Sequence, residues 1–149
     1  MSTRSYIAKE LEDGSIRYIY CHFDGYVEGV GKTLVDHYSD SDKVNQLLDL
    51  GDLSYLSEEI GEKQDFNQPT SRTWCLAYGR DRGEHGVSAK ITPSRSYFIK
   101  VLGDEVDYVY LYRQYCDDEL RGWWCYHKGH SMALPNAEKI NSAREMAYA

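Results

Sequence analysis

The chain has 149 residues, 42% of them hydrophobic, and a formal net charge of −7, which together predict one domain spanning residues 1–149 with a substantial core. The negative charge argues against a protein that binds nucleic acid through its phosphates or docks on an anionic membrane surface. No apolar run approaches the ~18 residues of a membrane span, and the polar N-terminus is unlike a signal peptide.

The first predicted unit is a β-hairpin. Residues 4–12 and 15–23 have strand character, and Asp13-Gly14 between them is a favoured two-residue turn because both positions tolerate positive φ. Alternation divides the second strand into two faces. One face carries Ile16, Tyr18, Tyr20 and His22, and the other carries Arg17, Ile19, Cys21 and Phe23.

Two helices are predicted after the hairpin. A glycine-rich segment, residues 25–31, breaks the second strand, and residues 31–38 are predicted to be helical. A second helix is predicted between Ser41, which can cap it, and Gly51, which can end it. Its apolar stripe is Val44, Leu47 and Leu48. One more short turn or helix is predicted over residues 52–60.

The second half of the chain reads mainly as strands joined by polar segments. Strands are predicted over residues 73–78, 96–102, 106–115 and 122–127. The polar segments are a connection over 62–71, a charged loop over 79–86 and a turn over 117–121. A terminal helix is predicted over 136–148, after Pro135. Strands linked by hairpins favour an α+β fold with an antiparallel β-sheet and helices packed on one face.

The glycine-rich turn suggests a ligand site. Gly29-Val30-Gly31-Lys32-Thr33 follows a strand and precedes a helix, as a phosphate-binding P-loop does, but Tyr26 stands where the P-loop needs its first glycine. A weaker alternative remains, in which amides at the helix start and Lys32 hold a small anion. The candidate ligand-binding set is His22, Asp24, Tyr26, Glu28, Gly29, Gly31 and Lys32.

The same region carries the catalytic candidates, His22, Asp24 and His37. Histidine titrates near neutral pH and a carboxylate can fix its tautomer, which general acid–base catalysis requires. Metal binding by His22 and Asp24 is a second interpretation. A third is structural, with the two side chains bonded to each other or capping the helix, and it is the strongest of the three.

The four cysteines, at positions 21, 75, 116 and 125, lack the spacing of a disulfide framework. We therefore expect reduced thiols and a cytoplasmic protein. Cys125, His127 and His130 form a C-x-H-x-x-H pattern, with ligand types that zinc accepts, but paired C-x₂₋₄-C knuckles are missing. No metal and no cofactor is assigned.

Tyrosine is unusually abundant, with fourteen residues against three each of Phe and Trp. Tyr108, Tyr110 and Tyr112 alternate with aliphatic residues, so one face of their strand is aromatic. If the aliphatic face meets the helices, the tyrosine face is open to a partner, and Trp123 in the next strand can join it. The alternative is a second minor core under a loop.

Two segments resemble a group of small proteins from phages, prophages and bacteria. The opening Met1-Ser2-Thr3-Arg4-Ser5 and the stretch His22-Phe23-Asp24-Gly25-Tyr26-Val27-Glu28-Gly29-Val30-Gly31 are similar to that group's pattern, M-S-T-R-x-x-I followed by H-x-D-G-Y-x-E-G-V-G. The chain departs from the pattern at Val27, where proline is frequent. The resemblance implies a mobile-element accessory protein rather than an enzyme class.

Three functions follow as hypotheses. The first is a phage-type accessory protein that binds a host protein in the host cytoplasm, as a counter-defence inhibitor, through Tyr108, Tyr110, Tyr112 and Trp123. The second is a protein that binds or sequesters a small anionic ligand such as a nucleotide at the glycine-rich turn. The third, least favoured, is a small hydrolase using His22, Asp24 and His37. A homodimer is compatible with each, and direct nucleic-acid binding is expected of none.

Overall fold

The computed structural model describes residues 2–134, so the predicted terminal helix over 136–148 lies outside the described residues. The strands are β1 (Ser5–Glu10), β2 (Ile16–Cys21), β3 (Leu53–Tyr55), β4 (Leu76–Ala77), β5 (Lys90–Thr92), β6 (Tyr108–Arg113), β7 (Gly122–His127) and β8 (His130–Ala133). The α-helices of this part of the chain are α1 (Lys32–His37), α2 (Ser41–Asp49), α3 (Tyr78–Arg82) and α4 (Arg95–Lys100). None of the helices between residues 2 and 134 has the length and apolar character needed to cross a membrane.

The eight strands form one mixed sheet. Its order is β4-β3-β2-β1-β6-β7-β8, and β5 also pairs with β2. β1 is parallel to β6, and β2 is parallel to β3, whereas the remaining pairs are antiparallel. The α+β class is thus confirmed, and the predicted antiparallel sheet also contains two parallel pairs. Both parallel pairs join strands that are distant in sequence and connected through helices, which hairpin signals cannot reveal.

Helices cover both faces of the sheet. Ile7 and Ala8 are neighbours in β1 that point to opposite faces, and they belong to two different buried clusters. On the first face, the cluster of Ile7 includes Leu34 of α1 and Val44 of α2. On the second face, the cluster of Ala8 includes Phe98 of α4. The prediction that helices pack on one face is therefore wrong, because α4 occupies a segment that was expected to be a strand.

The β1–β2 hairpin is confirmed, with a longer turn than predicted. Leu11 and Ser15 close a three-residue loop through the Leu11 amide, which donates to the Ser15 carbonyl at 2.8 Å. The Gly14 amide donates back to the Leu11 carbonyl at 2.9 Å, and Gly14 has a φ of +88°. This is a type I turn followed by a left-handed residue, for which glycine is the favoured choice.

The predicted helix between Ser41 and Gly51 is also confirmed. Its apolar stripe is fully buried: Val44, Leu47 and Leu48. The cap is Asp40, one residue before the predicted Ser41, and its carboxylate accepts a hydrogen bond from the Asp42 amide at 3.3 Å. Gly51 follows the helix with a φ of +74°, as its predicted end requires.

Two segments of the second half are helical where the sequence patterns predict otherwise. The predicted strand over 96–102 lies mostly in α4, because the Ser94 hydroxyl caps that helix by accepting from the Tyr97 amide at 3.1 Å. The predicted charged loop over 79–86 begins inside α3, which Gly83 ends with a φ of +74°. In both cases a capping residue outweighs the local composition.

The sequence patterns also miss three short strands. β3 replaces the turn or helix predicted over 52–60, and β5 and β8 lie in segments for which no element is predicted. β8 returns from β7 through Lys128 and Gly129, both at positive φ, as in a type I′ hairpin. Strands of three or four residues are too short to show alternation.

Candidate binding surface

The predicted tyrosine face of β6 lies inside the protein. Tyr110 is 0% exposed, Tyr108 and Trp123 are buried, and Tyr112 is half-buried. Because α1 and α2 pack on this face, it forms part of the first core instead of an open surface. The prediction that these four residues present a contact surface to a partner is therefore wrong.

These aromatic side chains instead position the backbone of the segments that cover them. The Tyr110 hydroxyl donates to the Gly25 carbonyl at 2.7 Å, and the Tyr112 hydroxyl donates to the Ser39 carbonyl at 3.1 Å. The Trp123 indole donates to the carbonyl of Tyr38 at 2.8 Å. Burial raises the pKa of Tyr110, so its hydroxyl stays protonated and remains a donor. The polar tips therefore satisfy backbone carbonyls of the covering segments.

The glycines of the turn are required for close packing. A Cβ atom on Gly29 would lie 2.3 Å from the Asp24 carbonyl oxygen, and one on Gly31 would lie 3.1 Å from the Tyr110 ring. Residues Val27–Gly31 form a single π-helical turn that leads into α1. The Lys32 ammonium is paired with the Asp36 carboxylate at 2.7 Å on the exposed side of α1. Packing thus accounts for the glycine pattern without a bound phosphate.

The three catalytic candidates occupy separate environments. His22 Nδ1 shares a 2.7 Å hydrogen bond with the Tyr20 hydroxyl, whereas a carboxylate oxygen of Asp24 accepts from the Tyr26 hydroxyl at 3.2 Å. His37 is exposed in the last turn of α1. Among residues 2–134, no group of three or more His, Cys, Asp or Glu side chains is arranged to hold a metal ion. Glu28 is half-buried, and its charge helps to raise the pKa of Tyr110.

The C-x-H-x-x-H pattern is divided between the core and the surface. Burial raises the pKa of the Cys125 thiol to about 12, which disfavours the thiolate that zinc binds. His127 stacks on the Tyr108 ring, with ring centres 4.1 Å apart, and its Nδ1 lies 2.7 Å from the Asp107 carbonyl. His130 is exposed at the start of β8. A cavity of about 420 Å³ opens beside these histidines.

A partly exposed row of aromatic rings follows the second face of β1 and β2 and continues into the turn after Cys21, where the strand alternation no longer applies. We call it the aromatic strip, and it consists of Tyr6, Tyr18, Tyr20, His22 and Phe23. The Tyr6 ring lies edge-on to the rings of Tyr18 and Tyr20, with centres 5.1 and 6.3 Å apart. His22 continues the row, 5.9 Å from the Tyr20 ring and 4.5 Å from the Phe23 ring. Edge-to-face pairs at these distances stabilise one another.

Exposure increases along the strip. At one end the Tyr18 ring lies 5.1 Å from the ring of Phe98, a completely buried residue of α4. At the other end Phe23 is 43% exposed, just where β2 gives way to the turn. Tyr26, in the same turn, is 36% exposed. The strip is therefore anchored in the second core and opens onto the surface at the His22–Tyr26 turn.

The groups around the strip are mainly acidic. The Tyr6 hydroxyl donates to a carboxylate oxygen of Glu105 at 2.7 Å, and burial together with this carboxylate raises the pKa of Tyr6. The carboxylate of Asp52 adds to this effect and also accepts the Tyr20 amide at 3.0 Å. Arg4 supplies positive charge near Tyr20, and Lys90, the register partner of Tyr18, supplies it near Asp52. With Asp24 at the open end, acidic groups outnumber basic ones around the rings.

Part of this strip is visible in the sequence. Alternation places Tyr18, Tyr20 and His22 on one face of the second strand. The missing information is which face the long helices cover, and that depends on the pairing of β1 with β6.

Comparison of the chain with protein-family models, with curated proteins and with solved structures finds no match.

Proposed function

We propose that this protein acts by binding, as an accessory protein of the phage type, and that the aromatic strip docks on a basic surface of a host protein. The observation that carries the proposal is the open end of the strip, where Phe23 is exposed beside His22 and Tyr26 is exposed in the turn that follows. Exposed aromatic anchors supply much of the free energy at protein interfaces. The strip's inner rings are held by the core, so little side-chain entropy is lost on binding.

The charge of the molecule indicates the kind of partner. The net charge is −7, and Asp24, Asp52 and Glu105 lie around the strip. An acidic surface attracts a basic one and accelerates their encounter. A basic groove that normally binds nucleic acid is the partner surface that these charges complement. Occupying such a groove would inhibit a host defence enzyme, and the resemblance of residues 22–31 to phage and prophage proteins supports this setting.

The test uses a double variant at the open end of the strip. Phe23→Ala/Tyr26→Ala removes two exposed rings, so the fold should be retained. Wild-type protein immobilised on a support is incubated with bacterial host lysate, and each captured protein is purified and titrated by calorimetry. We expect one basic partner whose affinity falls about 100-fold or more in the double variant, as the loss of two anchor residues implies.

The matched control is Tyr115→Ala. Tyr115 is 50% exposed but lies beyond the end of β6, away from the strip. This variant should bind the partner with wild-type affinity, and the affinity of the wild type should weaken as salt is added. A partner that binds the double variant as tightly as the wild type, or one with an acidic contact surface, would overturn the proposal.

A further inference from the structure

A buried lysine lies on the first face of the sheet, opposite the aromatic strip. Lys9, in β1, is only 4% exposed. Its ammonium donates to Ser41 Oγ at 2.9 Å and to Asn45 Oδ1 at 3.0 Å, and both acceptors are uncharged. Buried lysines are rare unless they are paired with an acid, because removing the charge from water is costly.

The position of Lys9 in the fold further disfavours its charged form. Ser41 is the first residue of α2, so the ammonium lies at the positive end of the helix dipole. Burial lowers the pKa of Lys9, the Asp42 carboxylate opposes this change, and the Arg17 guanidinium adds to it. On the β6 side the register partner of Lys9 is Tyr112, whose own pKa is raised by burial. Lys9 therefore loses its proton at a pH closer to neutral than an ordinary lysine does.

The Ser41 hydroxyl lies within hydrogen-bond distance of this amine. Its hydroxyl accepts from Lys9 and donates to Gln114 Oε1 at 3.0 Å. When Lys9 loses its proton, the hydroxyl can donate to Nζ instead, and the oxygen becomes a better nucleophile. Ser41 is half-buried. Ser39, two residues before it, and Tyr112, the register partner of Lys9, line a neighbouring cavity of about 410 Å³ whose other walls include Val35 and Trp123.

We propose that Ser41 and Lys9 form a serine–lysine dyad that hydrolyses an acyl ester. Ser41 Oγ attacks the ester carbonyl carbon while its proton passes to the neutral Nζ of Lys9. The tetrahedral intermediate collapses, the C–O bond to the alcohol breaks, and the alkoxide takes the proton from Lys9. Water then attacks the acyl-serine, giving a proton to Lys9. Collapse releases the carboxylic acid, and Ser41 regains the proton from Lys9.

The test is reaction with a fluorophosphonate probe, which phosphonylates nucleophilic serines with loss of fluoride. We expect mass spectrometry to locate the label on Ser41 of the wild type, and Ser41→Ala to abolish it. Lys9→Met keeps the length of the side chain without the amine and should slow labelling by about 100-fold or more, the usual contribution of a general base. Ser57→Ala is the matched control. The Ser57 hydroxyl donates to a backbone carbonyl, so this substitution should leave the labelling of Ser41 unchanged.

A second readout needs no variant and covers the case in which Lys9→Met fails to fold. The labelling rate of the wild type should rise with pH and level off below 10.5, the ordinary pKa of lysine. A flat profile, labelling of other serines only, or an unchanged rate in folded Lys9→Met would each overturn the dyad. Because Ser41 and the aromatic strip are on opposite faces, these outcomes are independent of partner binding.

Discussion

At the scale of single residues, the Asp52 side chain fills a gap along β2 between its two partner strands, β5 and β3. Its carboxylate accepts the Tyr20 amide of β2 at 3.0 Å, between the points where β5 and β3 pair with that strand. An amide in this gap would otherwise lack a ladder partner. Burial raises the pKa of Asp52 above its ordinary value of 3.8, and the Tyr20 amide and Lys90 oppose the shift. The hydrogen bond from the Tyr20 amide thus stabilises the fold, whereas burial of the negative charge destabilises it.

This balance predicts opposite results for two substitutions. Asp52→Asn keeps the acceptor oxygen without the charge, so the free energy of unfolding at neutral pH should equal or exceed that of the wild type. Asp52→Ala leaves the Tyr20 amide without its acceptor and should lower the free energy of unfolding by about 1–2 kcal/mol. Urea unfolding at neutral pH measures both. Equal destabilisation of the two variants would show that the charge itself is needed.

The pH dependence follows from the sign of the shift. A carboxyl whose pKa is higher in the folded state binds its proton more tightly there. Proton binding to Asp52 therefore adds to the free energy of unfolding, and this stabilisation is fully present below the pKa that the group has in the unfolded chain. That contribution is lost as the pH rises through the folded pKa of Asp52. The stability of Asp52→Asn relative to the wild type should therefore increase between these two values and then stay constant.

At the scale of elements, the turn between β2 and α1 depends on a glycine that no side chain can replace. A Cβ atom on Gly29 would overlap the Asp24 carbonyl oxygen, which accepts the Val30 amide at 2.9 Å. We therefore expect Gly29→Ala to lower the free energy of unfolding by about 2 kcal/mol or more. Gly103→Ala is the control, because its Cβ would meet only ordinary contacts at 3.5 Å or more. Chemical denaturation of the two variants compares them, and equal stabilities would contradict this account of the turn.

Elements with their own end signals could be predicted from the sequence. The β1–β2 hairpin has Gly14 in its turn, and α2 has a polar cap and Gly51 at its end. The segment of α4 has the composition of a strand because its tyrosine, phenylalanine and isoleucine favour strands, while its cap, Ser94, is a common residue in any loop. Local patterns are reliable only where composition and capping agree.

The candidate surface depends on information that no local pattern contains. Alternation correctly separates Tyr108 and Tyr110 from Val109, but it does not say which set the helices cover. The answer depends on β1 lying parallel to β6, a pairing between segments about a hundred residues apart. For the same reason, Lys9 and Ser41 meet only in the folded chain.

At the scale of the whole molecule, β6 joins the two cores. Tyr110 points into the first core, and its neighbour Leu111 points into the second, so both cores pack against this strand. We expect one cooperative unfolding transition. Leu111→Ala should lower the free energy of unfolding by about 2–5 kcal/mol. The midpoint should shift equally by circular dichroism and by the fluorescence of Trp123 in the opposite core, measured in a background in which Trp74 and Trp124 are replaced by Phe. Val101→Ala, at an exposed site, should leave both midpoints unchanged. Separate transitions for the two probes would mean that the cores unfold independently and that β6 does not couple the aromatic strip to the helices on the other face.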